Sequence, residues 1–148
     1  MPYRHLLVPT DGSELSGKAV QQAVRLSQSL GARLTVFHVQ TNFPISLVGV
    51  GELVAPHTVD ALVTAARDNA QQILAEAAAV ARAAGVPCTQ DTVVHALPYA
   101  AIVEAASRHG ADLIVMASHG RRGLEGVLLG SETHRVLTHS ACPVLVVR

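Results

Sequence analysis

Between residues 117 and 131 the chain contains four glycines and two adjacent arginines, Arg121 and Arg122. Glycine lets backbone amides approach a ligand closely, and a helix that begins at Ser131 would point its free N–H groups toward an anion. Guanidinium groups bind phosphate oxygens through paired hydrogen bonds. These residue types predict a phosphate-binding loop, although composition alone is equally typical of a solvated surface loop.

A second polar stretch, residues 9–13, follows the apolar run at residues 6–8. Asp11 supplies a carboxylate, which can accept hydrogen bonds from a ligand. An Asp followed by Gly-Ser also commonly bonds its own turn or caps the next helix, and the sequence leaves this structural role open. Ser13 is the expected N-cap of that helix.

Short apolar runs alternate with longer segments of helical periodicity along the chain. Strands are predicted at residues 6–8, 34–39, 92–94, 113–116 and 144–147, and helices at 14–30, 59–84, 98–109 and 131–139. Strands that are apolar at consecutive positions are buried on both faces, and their alternation with helices requires parallel crossover connections. The sequence therefore predicts an α/β fold, a five-stranded, doubly wound parallel sheet with helices on both faces.

In such a sheet, ligands bind beyond the carboxyl ends of the strands, where the winding reverses. This rule places both polar turns, residues 9–13 and 117–131, at the expected ligand site. Residues 40–57 show no clean period and contain two prolines and two glycines, so a loop is predicted there. A loop of that length is typical of a lid, a partner surface or a disordered segment.

The composition excludes several classes of protein. With 148 residues and 49% hydrophobic content, the chain has the size of a single domain spanning residues 1–148. The 11 basic and 11 acidic residues balance, so no net charge favours nucleic acid or an anionic membrane. No apolar run reaches the roughly 20 residues of a membrane span, and no signal-peptide pattern is visible, so a cytoplasmic location is expected. Cys88 and Cys142 are isolated and are expected to be packing residues.

The spacing Ala117-x-x-Gly120, then nine residues, then Gly130-Ser131 resembles the signature of the universal stress protein family, Gly-x-x-Gly-x9-Gly-Ser/Thr, which marks its ATP-binding branch. Residues 6–13, 38–39, 112–116 and 142–147 are similar to the same family, so the resemblance covers nearly the whole chain. It implies a Rossmann-like sheet of the adenine nucleotide alpha hydrolase type, with strand order 3-2-1-4-5.

The resemblance also implies that the chain binds ATP, with or without Mg²⁺. Asp11 would contact the adenosine, the backbone at Val39 would recognise adenine, and the glycines and the start of the last helix would hold the phosphates. The predicted nucleotide-binding residues are Pro9, Thr10, Asp11, Val39, Met116, Ala117, Gly120, Arg121, Arg122, Gly130, Ser131, Glu132 and Thr133. The familiar catalytic signatures are absent, so no catalytic residue is assigned.

Two positions depart from the family pattern. Ala117 replaces the first glycine of the signature, and Ala96 stands where many relatives carry glycine. If residue 117 has extended backbone angles, its methyl group is tolerated and could touch the ribose. A positive φ would instead make alanine costly.

The eight histidines do not predict a metal site, because no two of them have the i, i+4 spacing that brings ligands together on a helix. His38 lies in a predicted buried strand and is expected to be a core histidine with its hydrogen bonds satisfied. His119 lies inside the predicted phosphate loop, where it could assist binding or brace the loop.

Three functions remain open. An ATP-binding regulatory or stress-adaptation module is favoured, and the alternatives are a dimeric scaffold that has lost nucleotide, supported by Ala117, and a slow ATP hydrolase or self-phosphorylating enzyme. The last predicted strand is apolar at four successive positions and would form a sheet edge that needs cover. In relatives this strand pairs with its own copy, so a homodimer through Val144–Val147 is expected.

Overall fold

The computed structural model of the chain describes residues 3–41, 56–120 and 129–148. Its strands are β1 His5–Pro9, β2 Arg33–Gln40, β3 Cys88–Val94, β4 Leu113–Ala117 and β5 Val144–Val147. Its helices are α1 Glu14–Leu30, α2 Pro56–Ala83, α3 Pro98–His109 and α4 Ser131–His139. The predicted alternation of strands and helices is confirmed.

The strands form one parallel sheet of order β3-β2-β1-β4-β5, which confirms the predicted fold. β1 pairs with β2 as far as Pro9 opposite Phe37, and with β4 as far as Leu7 opposite Ile114. The chain builds outward from β1 to β3 and then returns to the other side of β1. The winding therefore reverses between β1 and β4, and the two polar turns of the sequence follow these two strands.

The sheet separates two hydrophobic cores. Leu6 and Val8 of β1 pack in the core that contains α1 and α2, whereas Leu7 packs in the core that contains α3 and α4. All three side chains are fully buried. The continuous apolar run thus reflects burial on both faces of the sheet, as its pattern predicts.

Helix α1 starts and ends where its sequence predicts. Ser13 has extended backbone angles, and its side chain accepts a hydrogen bond from the amide of Ser16 at 3.2 Å. Gly31 ends the helix in the left-handed conformation, with φ 66°. These ends confine the turn after β1 to the few residues that precede Ser13.

Strand β3 is longer than predicted. It begins at Cys88 rather than at residue 92, and it pairs with β2 from Leu34 opposite Cys88 onward. Its first half includes Thr89, Gln90 and Asp91, because β3 is an edge strand whose side chains are partly exposed. The apolar run in the sequence therefore predicts only the last part of this strand.

Both cysteines are packing residues, as expected. Cys88 and Cys142 are free and half-buried, and each packs against a different one of the two cores. Burial raises the pKa of the Cys88 thiol, which keeps it protonated and weakly reactive at neutral pH.

The predicted loop at residues 40–57 is only partly within the described chain. Gln40 is the last residue of β2, and α2 already begins at Pro56. Residues 42–55 lie outside the described residues. Within the described ranges, no helix combines the length and the apolar character that crossing a bilayer requires.

Candidate functional site

A cavity of about 770 Å³ opens beyond the carboxyl ends of β1, β2 and β4. Its volume is in the range of sites that hold small molecules. Every described residue of the predicted site lines it: Pro9, Thr10, Asp11, Val39, Met116, Ala117, Gly120, Gly130, Ser131, Glu132 and Thr133. Arg121 and Arg122 lie outside the described residues. The fold thus brings the predicted residues of distant segments to one place.

The cavity also has lining residues that are not among the predicted nucleotide-binding residues, although the sequence predicts His119 in the phosphate loop. These are Ser16, Phe37, His38, Thr41, Ala96, Pro98, Ile102 and His119. Pro98 and Ile102 belong to the first turns of α3, which follows the carboxyl end of β3. The rule that ligands bind beyond the carboxyl ends of the strands applies to β3 as well. It could therefore have indicated that the start of α3 lines the site.

Both the backbone and the side chain of Thr10 form hydrogen bonds at the point where the chain leaves β1. Its amide donates to the carbonyl of Phe37 at 2.8 Å, and its own carbonyl accepts a hydrogen bond from Nδ1 of His38 at 2.8 Å. Its hydroxyl lies 3.0 Å from the hydroxyl of Ser16 and accepts a hydrogen bond from the amide of Gly12 at 3.3 Å. This network fixes the backbone immediately before the candidate carboxylate.

Asp11 bonds its own turn and also lies in the cavity. Its Oδ1 accepts a hydrogen bond from the amide of Ser13 at 2.9 Å, so the structural role left open by the sequence is real. Its Oδ2 lies against Gly120, where an added Cβ atom would be only 2.5 Å away. A side chain at position 120 would therefore displace the carboxylate of Asp11. The carboxylate of Asp11 lies beside the start of the glycine-rich loop.

Gly130 packs closely against the chain that leaves β4. Its amide donates to the carbonyl of Ser118 at 2.6 Å. A Cβ atom at position 130 would lie 3.1 Å from both Cα and Cβ of His119 and 3.3 Å from the carbonyl oxygen of Ser118. Because φ of Gly130 is -68°, glycine is favoured here for space rather than for a left-handed backbone.

Helix α4 begins at Ser131 without a side-chain cap, because its N-cap residue is Gly130. The first N–H groups of an α-helix have no partner within the helix. In the described part of the chain, no atom accepts a hydrogen bond from the amides of Ser131, Glu132 or Thr133. These residues line the cavity, so unpaired donors and the positive end of the helix dipole are available there to an anion.

Comparison with known proteins decides the family. Residues 2–148 match the sequence pattern of the Universal stress protein family. The chain belongs to this family. Universal stress protein YxiE of Bacillus subtilis is 34% identical over 149 residues, which cover 99% of each chain. Universal stress protein MJ0531 of Methanocaldococcus jannaschii is 33% identical over 146 residues, which cover 99% of this chain and 82% of the relative.

Solved structures of similar proteins share the universal stress protein fold. Protein MJ0577 of Methanocaldococcus jannaschii superposes with a TM-score of 0.77 at 30% identity, covering 99% of this chain and 96% of the other. A universal stress protein in complex with cAMP superposes with a TM-score of 0.73 at 29% identity, covering 100% of this chain and 98% of the other. The family and the fold implied by the signature are therefore both confirmed.

The alanine that departs from the universal stress protein signature fits its position without strain. Ala117 is the last residue of β4, opposite Val147 of β5, and among the described residues only glycines have a positive φ. Its side chain is buried in the core that contains α1 and α2. The condition under which a methyl group is tolerated here is met. Ala96 likewise needs no positive φ.

Glu132 and Thr133 use their side chains to join neighbouring elements. Oε2 of Glu132 accepts a hydrogen bond from the amide of Tyr99 at 2.7 Å, and its Oε1 accepts one from Arg135 at 3.0 Å. The hydroxyl of Thr133, a residue only 2% exposed, donates to the carbonyl of Ala117 at 2.8 Å. These bonds tie the first turn of α4 to α3 and to β4. The backbone amides of that turn remain the donors available to a ligand.

His119 contributes to the site in two ways. Its backbone is the surface against which Gly130 packs. Its ring, with Nδ1 3.2 Å from the hydroxyl of Ser118, belongs to a residue that lines the cavity. The geometry therefore accommodates both roles expected from sequence, bracing the loop and assisting binding.

Proposed function

We propose that this chain binds an adenine nucleotide, ATP, in the cavity and acts as a regulatory or stress-adaptation module in a homodimer. The observation that carries the proposal is the uncapped start of α4, which shares one cavity with the carboxylate of Asp11. A helix start binds phosphate, and a carboxylate accepts hydrogen bonds from ribose hydroxyls. The related protein in complex with cAMP, 29% identical over 98% of its length, adds support for an adenine nucleotide.

In the proposed complex each part of ATP meets a different part of the cavity. The backbone at Val39 contacts adenine, and Asp11 contacts the ribose. The amides at the start of α4, together with Arg121 and Arg122, hold the phosphates. A magnesium ion that accompanies ATP would bind the phosphates, as Mg²⁺ commonly does at nucleotide sites.

Calorimetric titration with Mg-ATP tests the phosphate end through a matched pair of variants, Gly130→Ala and Gly130→Asp. Both add the same Cβ atom beside His119, so their difference isolates the carboxylate. Aspartate at the N-cap would accept hydrogen bonds from the α4 amides itself and would repel phosphate. Charge-assisted hydrogen bonds contribute about 1.5–3 kcal/mol, so Gly130→Asp should bind ATP about 10-fold or more weaker than Gly130→Ala.

The same titration, together with an assay of ADP release, distinguishes the alternative functions. Absence of binding at millimolar ATP, by wild-type protein shown to be folded by circular dichroism, would overturn the proposal and leave the nucleotide-free scaffold. Quantitative ADP release by the wild type, above that of the Gly130→Asp variant, would instead show slow hydrolysis. Binding without ADP release is the result expected for a regulatory module.

The geometry of β5 supports the homodimer. The carbonyl of Pro143 accepts a hydrogen bond from the amide of Ile114 in β4, and the carbonyl of Val147 accepts one from the amide of Ser118, the first residue after β4. Because backbone groups alternate sides along a strand, those of Val144 and Val146 point to the open edge of the sheet. Leu145 is 43% exposed on the same strand. An apolar strand with an open edge is commonly covered by pairing with another chain.

The variant Val146→Pro tests the homodimer. Proline removes an N–H group that points to the open edge, and it leaves the hydrogen bonds between β5 and β4 in place. Sedimentation velocity at micromolar concentration should show a dimer for the wild type and a monomer for the folded variant. A monomeric wild type would contradict this part of the proposal while leaving ATP binding to be judged by titration.

A further inference from the structure

The ring of His38 lies at the end of β2, beside the first residue beyond β1. Its Nδ1 is 2.8 Å from the carbonyl oxygen of Thr10. A carbonyl oxygen can only accept a hydrogen bond, so Nδ1 of His38 must carry a proton. The residue is half-buried and lines the cavity, so the core position expected from sequence is wrong although one ring nitrogen is hydrogen-bonded as expected.

The β1–β2 ladder ends at the residue where this hydrogen bond forms. The amide of Thr10 donates to the carbonyl of Phe37 at 2.8 Å. In a continuing parallel ladder, the next hydrogen bond would run from the amide of Val39 to the carbonyl of Thr10. No such bond forms within the described part of the chain. The imidazole of His38 donates to that carbonyl oxygen instead.

Among the described residues, the backbone of Val39 makes no ladder hydrogen bond to the chain that leaves β1. In a continuing ladder, the carbonyl of Val39 would accept a hydrogen bond from the amide of Gly12. That amide instead donates to the hydroxyl of Thr10 at 3.3 Å. Val39 lines the cavity, so one residue offers a neighbouring backbone donor and acceptor to a ligand. Adenine presents the complementary pair on its Watson–Crick edge, with N1 as acceptor and the 6-amino group as donor.

We propose that His38 is a positioning residue for adenine recognition. By binding the carbonyl of Thr10, its imidazole keeps the amide and carbonyl of Val39 free for the edge of the base. His38 acts through the backbone and does not need to touch the ligand. This role rests on the proposed binding of an adenine nucleotide.

The variants His38→Leu and His38→Asn separate this role from simple packing. The side-chain amide of asparagine reaches the position of Nδ1 and can donate to Thr10, whereas leucine cannot. In His38→Leu the carbonyl of Thr10 becomes available to the amide of Val39, so the ladder extends and closes the adenine-binding edge. Leucine still fills space at the end of β2, which makes it a fair test of the hydrogen bond.

Calorimetric titration with ATP and ITP provides the decisive comparison. Hypoxanthine reverses the pattern of adenine, with a donor at N1 and an acceptor at position 6, while the ribose and triphosphate are unchanged. We expect wild type and His38→Asn to prefer ATP by about 10-fold or more, and His38→Leu to lose most of this preference. A merely structural role would weaken ATP and ITP equally and would overturn the proposal, as would loss of the preference in His38→Asn.

Amide hydrogen exchange of Val39, followed by NMR without ligand, tests the ladder itself. The amide should exchange quickly in wild type and His38→Asn and become protected in His38→Leu, and the imidazole of wild-type His38 should be protonated at Nδ1. A protected Val39 amide in the wild type would overturn the inference even if ATP binds. If the wild type binds no ATP, the proposed function fails, and the exchange of Val39 still decides whether His38 ends the ladder.

Discussion

Helices α1 and α4 start with the same backbone but with different chemistry. Their N-cap residues, Ser13 and Gly130, have φ/ψ of -71°/161° and -68°/161°. The carbonyl of each accepts a helical hydrogen bond at 3.0 Å, from Gly17 and His134 respectively. The hydroxyl of Ser13 also accepts a bond from the amide of Ser16, whereas Gly130 has no side chain to offer. The N-cap side chain thus distinguishes the two helix starts: at α1 it accepts a hydrogen bond from a first-turn amide, whereas at α4 the first-turn amides remain available to an anion.

Helix α3 extends this comparison. Its N-cap, Leu97, makes no side-chain cap, but the amide of Tyr99 is bonded to the carboxylate of Glu132. The starts of α1 and α3 therefore each have a side-chain acceptor. Within the described residues, the start of α4 has none. An anion in the cavity would find its donors on α4, which is also where the family signature places the phosphates.

The largest effect on stability is expected from Thr133→Val, which should loosen the open helix start. Valine keeps the shape of threonine but cannot donate to the carbonyl of Ala117, which then remains buried without a partner. The free energy of unfolding should fall by about 1–3 kcal/mol, and ATP should bind more weakly because the donors lose their fixed position. Urea denaturation followed by circular dichroism measures the first effect.

Thr133→Ser is the matched control, since it keeps the hydroxyl and loses only a methyl group. It should retain most of the stability and of the ATP affinity. Equal losses in Thr133→Val and Thr133→Ser would show that the methyl group, not the hydrogen bond, holds α4 in place.

A smaller effect is expected from Ser13→Ala, which removes the cap of α1. The free energy of unfolding should fall by about 1 kcal/mol. ATP affinity should stay within about twofold of wild type, because on this comparison the α1 start takes no part in phosphate binding. Urea denaturation and calorimetric titration of the same preparation check both statements. A loss of ATP affinity comparable to that of Gly130→Asp would remove the distinction between the two helix starts.

Much of the fold can be predicted from the sequence because local signals and burial agree. Ser13 and Gly31 mark the ends of α1 by cap chemistry that needs no tertiary information. The central strands are apolar at consecutive positions because both of their faces are covered. The first half of β3 escapes prediction for the opposite reason, since an edge strand can be polar where its side chains reach solvent.

The candidate site is predicted less completely, because its geometry depends on which groups meet across the fold. The topological rule and the family spacing indicate Asp11 and Gly130 from sequence alone. They do not show that Gly130 packs on the backbone of His119, or that the hydroxyl of Thr133 is used by Ala117. The hydrogen bond between His38 and the carbonyl of Thr10 cannot be predicted from the sequence for the same reason. The type and position of a histidine in a strand do not predict which carbonyl of a neighbouring segment its ring will bond.

A second comparison is between two histidines that lie at opposite ends of β1, His5 within the strand and His38 on the neighbouring strand β2. At the carboxyl end, His38 binds the backbone beside the cavity. At the amino end, His5 is itself buried, 6% exposed, with Nε2 2.7 Å from the hydroxyl of Thr35. Nδ1 of His5 has no hydrogen-bond partner among the described residues. A proton on this ring would be poorly solvated, so His5 should oppose folding in acid.

The direction of the pKa shift agrees with this expectation. Burial lowers the pKa of His5 from its ordinary value of 6.5, and the nearby charges of Arg33 and His109 lower it further. The charge of Asp112 and the backbone of His109 act in the opposite direction without reversing the shift. The folded state therefore holds the proton of this imidazole less tightly than the unfolded state does.

The change expected to be smallest at neutral pH is His5→Gln. Above pH 6.5 the imidazole is neutral in both states, so its titration has no effect on stability. As the pH falls below 6.5 the unfolded state binds a proton that the native state does not, so the free energy of unfolding decreases until the folded-state pKa is passed. Glutamine can keep the hydrogen bond to Thr35 without titrating, so the variant should lose less stability on acidification. Urea denaturation between about pH 7.5 and pH 5 measures the difference, and identical pH dependence in wild type and variant would assign the acid sensitivity to other groups.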